Sequence, residues 1–246
     1  MSTATSPHVP STRTRRRGAA LKTVAAASLV LAGLLNGLPQ YLVHLVTPDH
    51  DDFSDQIRWS VDHSAIHQAE QLALLLSSLF MPMGLLGLAW VAHHRSRRLT
   101  AVAAVLVVWG MWGFHNVLAM GYAAGTVGPD AIGVADAVRL NEGLVEDVGV
   151  VVTALVPHLL GSFLGLLLLT IACWRAGFFP KVPLVLMGAF LLWDFALAPV
   201  GVLEPHLLLA VSWTWLGVHL LRIPDRVWSG EASDEGTGMR VQPAPY

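Results

Sequence analysis

The chain has 246 residues, 54% of them hydrophobic and only 13% charged, with a formal net charge of −2. Soluble globular proteins carry roughly 25% charged residues, so this composition, with a mean hydropathy of +0.57, argues against a soluble domain and for an all-α, polytopic integral membrane protein. A single cysteine, Cys173, excludes an internal disulfide framework and a cysteine-based metal cluster, and the few basic residues, gathered at helix ends, offer no nucleic-acid surface.

Residues 1–18 are rich in Ser, Thr and Pro and end in Arg13, Arg15, Arg16 and Arg17. That composition is too polar to fold alone, so a disordered cytoplasmic tail is expected. The arginine run before an apolar segment also resembles a twin-arginine signal peptide. The apolar residues continue to Val46 without a small-x-small cleavage site, however, so the segment is expected to stay as the first span.

Crossing roughly 30 Å of hydrocarbon takes about 20 apolar residues at 1.5 Å rise each. That ruler predicts six transmembrane helices, at about 20–46, 66–92, 99–123, 146–173, 182–201 and 204–222, within a helical domain of 19–224. Lys and Arg concentrate in alternate connections: Arg13 to Lys22, Arg95 to Arg98, Arg175 to Lys181, and Arg222 with Arg226. The others are acidic or neutral, as in Asp49, Asp51, Asp52 and Asp55. The positive-inside rule then puts both termini in the cytoplasm, at the cell membrane. Within the long 125–147 connection, Ile132, Ala135, Val138 and Leu140 suggest a short interfacial helix. Residues 225–246, with Glu231, Asp234, Glu235 and late prolines, read as a second disordered cytoplasmic tail.

Polar residues within the spans point to chemistry, because hydrocarbon neither solvates charge nor satisfies lone pairs. His63, His67 and Glu70 share one helical face as the second span begins. Asn36, Gln40 and His44 form a stripe on the first span, His115 follows Trp109 and Trp112 on the third, and His158 follows Pro157 on the fourth. Asp194 lies between Trp193 and Phe195 in the fifth, and Glu204 and His206 come just after. Most of these groups fall in the outer half of the bilayer, so they are expected to converge on one polar cavity. Pro39, Pro82, Pro157 and Pro199 interrupt helices and permit kinks around it.

The candidate catalytic set is Glu70, Asp194, His67, His115 and His158: a carboxylate kept protonated by an apolar cavity acts as general acid, and a histidine relays protons. Such a site suits a membrane-embedded enzyme on a hydrophobic small molecule, lipid-like or isoprenoid-like, taken from the bilayer. In size, and in carrying carboxylates within apolar helices, the chain resembles the small membrane-bound terpene cyclases. The resemblance is one of general form and carries no residues across. Two alternatives stand beside it. One is a proton- or cation-coupled transporter or sensor. The other is a metal or haem protein, with His63, His67 and Glu70 as the metal candidates.

Overall fold

The computed structural model describes residues 12–47, 53–196 and 204–231. The acidic residues Asp49, Asp51 and Asp52, Pro199 and most of both expected tails lie outside them. Every element among the described residues is helical. The long helices are α1 (Thr12–Val46), α3 (Ser64–His93) and α4 (Arg97–Tyr122), followed by α8 (Phe163–Ala176), α9 (Lys181–Ala196) and α10 (His206–Arg222). Between them lie the short α2 (Phe53–Asp62), α5 (Gly128–Ile132), α6 (Val134–Glu146) and α7 (Val148–Val150). The last element, α11, covers Asp225–Trp228.

Among the described residues, four stretches are long and apolar enough to cross a membrane: Gly18–Val46, Ser64–His93, Arg97–Ile132 and Val148–Ala176. With 16 and 17 described residues, α9 and α10 fall short of that length. Two of the four are not purely α-helical. A π-helical turn at Ala123–Val127 extends α4, and π-helical turns at Val151–Leu155 and Pro157–Ser162 lie between α7 and α8. Pro157 lacks an N–H and cannot continue an α-helical ladder, which favours a change of hydrogen-bond register there.

The six long helices form a closed ring in which chain neighbours are spatial neighbours and α1 meets α10 to complete it, while α3 also reaches α8 across the middle. Neighbours run antiparallel. Gly33 and Gly37 of α1 face Trp213 and Ala210 of α10, and Gly84 and Gly87 of α3 face Leu29 and Ala25 of α1. In lipid there is no hydrophobic force between helices, so close backbone approach and dispersion do the holding. The tightest case is α4 against the Pro157–Ser162 turn and α8, where Gly110 and Gly113 meet Gly161, Ser162 and the His158 backbone.

Large side chains fill the interior, with Leu29, Leu85, Leu88, Leu169, Trp213, Leu216 and Leu220 fully buried. The outside is equally apolar: Leu76, Leu79, Val105, Trp112, Leu159, Val185 and Leu192 are all exposed. An apolar belt on nearly every long helix far exceeds what a soluble monomer tolerates and fits a lipid surface. Buried hydroxyls are satisfied locally, as where Ser77 donates to the Leu74 carbonyl and Thr170 to Leu166.

At the Arg- and Lys-rich end the chain closes on itself. Gly177 takes the left-handed conformation (φ 72°) that stops α8, and Lys181 then donates to the Trp174 carbonyl at 3.1 Å while lying over the Trp174 ring. Residues 225–231, grouped by composition with the C-terminal tail, include the folded α11. Trp228 is buried, its carbonyl accepts from Trp90 Nε1 at 2.8 Å, and Asp225 pairs with Lys22 of α1.

At the opposite end α2 and α6 pack together as a cap. The interfacial helix forms at Val134–Glu146, after a break at Gly133 (φ 85°) that only glycine adopts readily. Its buried residue is Ala137, whereas Ile132 and Leu140 remain exposed.

Candidate functional site

The residues singled out in the sequence sort into three contact groups. In the first, His67 Nδ1 lies 3.6 Å from Glu70 Oε2, one turn along α3, with both side chains largely buried. His63, the third metal candidate, turns elsewhere: its ring stacks on Trp59 and its Nδ1 lies 3.0 Å from the Trp59 carbonyl. Among the described residues, no group of three or more His, Cys, Asp or Glu side chains is placed to hold a metal ion.

The second group joins α3, α4 and the Pro157–Ser162 turn. His115 Nδ1 lies 2.8 Å from the Ser78 hydroxyl. Its neighbour Phe114 stacks on His158 with ring centroids 5.0 Å apart, and His158 also faces Phe195 of α9. The π-helical register sets the direction in which His158 projects, and Gly113, against the His158 backbone, lets α4 come close enough for the ring stack.

The third group is the most polar. Glu204, in the turn before α10, accepts from the His206 backbone N–H at 3.1 Å, and its other oxygen is hydrogen-bonded to His206 Nδ1. His206 Nε2 faces Asp194 of α9 at 3.8 Å, an ion-pair distance longer than a hydrogen bond. The Glu204 side chain is only 8% exposed and that of His206 17%. Phe190 meets the His206 ring edge-on at 5.4 Å. Burial alone would raise the Glu204 carboxyl. The hydrogen bonds and charge of His206, with the charge of His44, outweigh that and hold it below the ordinary carboxylate value.

No family model, curated protein or solved structure matches this chain. What the site can do therefore has to be read from its geometry.

Glu204 binds both the backbone and one ring nitrogen of His206, which fixes the ring's orientation and favours the proton on Nδ1. The other nitrogen faces Asp194 and is where the ring gains or loses its second proton. A carboxylate-oriented imidazole of this kind takes up and returns protons, and the Asp194 carboxyl beside it can supply one when it is itself protonated. Of the expected catalytic residues, Asp194 belongs to this group, His115 and His158 belong to the second, and His67 with Glu70 stands apart. The sequence reading noted Glu204 and His206 but did not choose them. Their signal was a carboxylate and an imidazole two residues apart at the edge of an apolar run, with Pro205 between them to set the turn.

The tryptophans Trp109 and Trp112 line an apolar groove of about 620 Å³ with Leu86, Val105 and Val108. It opens on the exposed outer surface of α3 and α4 and contains none of the ionisable residues. It belongs to the lipid-facing belt, so the chemistry is assigned to the polar groups and not to this larger hollow.

Proposed function

We propose that this chain is an integral membrane protein of six spans, with both termini cytoplasmic, whose extracytoplasmic half carries an acid–base site acting on a hydrophobic, lipid-like or isoprenoid-like substrate. The observation that carries the reading is the largely buried Glu204–His206 pair with the more exposed Asp194 facing its ring. Keeping two carboxylates and an imidazole inside an apolar bundle is costly, and a proton-transfer role explains why they are oriented through one ring. The half-buried rings of Phe195 and Phe163, which pack against each other, supply a surface suited to a hydrocarbon chain. In this reading α9 and α10 complete the ring as shorter spans, with the alternating Lys and Arg loops setting the orientation.

Topology is tested with single cysteines in a Cys173→Ala background and an impermeant maleimide. Asn141→Cys should label from outside intact cells, and Ser96→Cys and Ser229→Cys only after permeabilisation. For the chemistry, the protein in lipid nanodiscs is incubated with polyprenyl lipids and a membrane lipid extract, and the products are followed by mass spectrometry. Asp194→Asn and His206→Ala should each cut conversion by 10²–10⁴-fold, the usual range for a general acid or base. Full conversion by both folded variants would sink the reading. No conversion by the wild type, together with a proton flux that the same substitutions abolish, would establish a proton-coupled carrier instead.

A further inference from the structure

At the capped end of the bundle, away from the array just described, lies a small polar pocket of about 100 Å³. It is walled by Ser60 of α2, by Ser64, His67 and Gln68 of α3, and by Thr126 and Asp130 beyond α4. Liquid water takes about 30 Å³ per molecule, so the space fits a group of a few heavy atoms. We propose that this pocket binds a primary ammonium group.

Three observations converge on that chemistry. The first is the imidazole. Glu70 sits 3.6 Å from His67 Nδ1, which favours the ring proton on that side and leaves Nε2 as an acceptor. Nε2 lies beside Gly125, where a side-chain carbon would touch it at 3.9 Å, so glycine keeps that edge of the ring clear. The second is an unused hydroxyl: Thr126 Oγ1 is buried and has no hydrogen-bond partner. A buried polar atom left unpaired costs about 1–3 kcal/mol, and a bound donor would satisfy it. The third is the backbone. Gly125 and Thr126 lie in the π-helical turn Ala123–Val127, and such turns are concentrated at functional sites.

The character of the lining then selects the ligand. Asp130 brings a negative charge, no Lys or Arg among the described residues lines the space, and an anion would be repelled. Hard alkali cations prefer all-oxygen shells, so an imidazole nitrogen is a poor ligand for them, yet it accepts readily from N–H⁺. A transition metal would need more His, Cys or carboxylate groups than are placed together here. Quaternary ammonium groups are held by aromatic cages, and no aromatic residue lines the pocket. A primary ammonium donates three hydrogen bonds, which His67 Nε2, the Asp130 carboxylate and a hydroxyl or the Gln68 amide oxygen can accept. The donor can be a free small amine or the ethanolamine headgroup of a phospholipid, since the pocket lies at the end of the apolar belt.

The test uses the full-length protein in phosphatidylcholine nanodiscs, titrated at constant ionic strength with methylammonium, tetramethylammonium or sodium chloride while thermal stability is followed. Methylammonium alone should give a saturable rise, and Asp130→Asn and His67→Phe should each raise its half-saturation at least tenfold. Asp130 is exposed, so its variant keeps the test sharp even if His67→Phe fails to fold. Repeating the titration in phosphatidylethanolamine nanodiscs separates the sources: a weakened response identifies the headgroup amine, an unchanged one a free amine. Absence of a saturable response in phosphatidylcholine, equal responses to sodium or tetramethylammonium, or wild-type half-saturation in Asp130→Asn would overturn the proposal. None of these outcomes bears on the Asp194–His206–Glu204 chemistry, which lies on other helices.

Discussion

Replacing Gly110 by alanine tests whether backbone contact, and not side-chain burial, holds α4 to its neighbour. A methyl carbon built on Gly110 would lie 2.2 Å from the Ser162 nitrogen and 2.4 Å from the Gly161 carbonyl carbon. Ordinary carbon contacts are about 3.5–4.0 Å, so the helices would have to part by more than roughly 1 Å. The opposing atoms are backbone, and no rotamer change can relieve the clash. Overpacking costs typically 1–3 kcal/mol, and this site belongs at about 3. Alanine returns about 1 kcal/mol in helix propensity over glycine. The expected net loss is therefore about 2 kcal/mol, a fall of roughly 30-fold in the folded-to-unfolded ratio. Reversible denaturation of the purified protein in mixed micelles reads this directly. Gly188 of α9 is the control: nothing lies within 4 Å of a carbon added there, so Gly188→Ala should be neutral or stabilise by up to about 1 kcal/mol. If Gly110→Ala is as stable as wild type while Gly188→Ala behaves as stated, close backbone packing is not what joins these helices.

Three further outcomes are expected. The Glu204 carboxyl is held below its ordinary value of about 4.5, so its contribution is complete above that pH and is lost as pH falls through the lower folded value. An acid titration of stability should show that loss in the wild type and less of it in Glu204→Gln; identical acid limbs would contradict the assignment. Ser78→Ala should cost about 1–3 kcal/mol by leaving His115 without its partner, and adding His115→Leu should cost less than the sum of the two single changes, as a denaturation cycle would show. At the basic end, Asp225→Ala should change stability by less than about 1 kcal/mol, because Asp225 is 80% exposed. Trp228→Ala should cost about 3 kcal/mol and speed proteolysis near the C-terminus, and equal effects would mean that the ion pair, not the ring, anchors α11.

Hydropathy made most of the architecture legible. The second and third spans, expected at 66–92 and 99–123, appear as Ser64–His93 and Arg97–Tyr122, because long apolar runs bounded by His93 to Arg98 leave little freedom. The π-helical turns were not legible: an apolar run has the same composition whether its backbone is α or π, and only the Pro157 position hinted at a change of register. α2 escaped notice because Phe53–Asp62 is short and mixed in polarity, and its value lies in what it covers. The pairing of His67 with Glu70 on one helical face was legible, but pairings between helices were not. Asp194 meets His206 only because α9 and α10 come back together, and helical periodicity says nothing about which residues face each other across such a return. Glu70 drew attention by depth, and its partner is simply His67, one turn away.

The closure of the ring between α1 and α10 has a consequence for biogenesis. Helices leave the ribosome in chain order, yet one flank of the first helix has its partner in the last. Until α10 arrives with Trp213 and Ala210, Gly33 and Gly37 present bare backbone to lipid or to an insertion factor. Assembly is therefore completed by its final long helix, and a nascent chain halted before His206 should remain an open arc, able to pair its exposed ends with those of another unfinished chain.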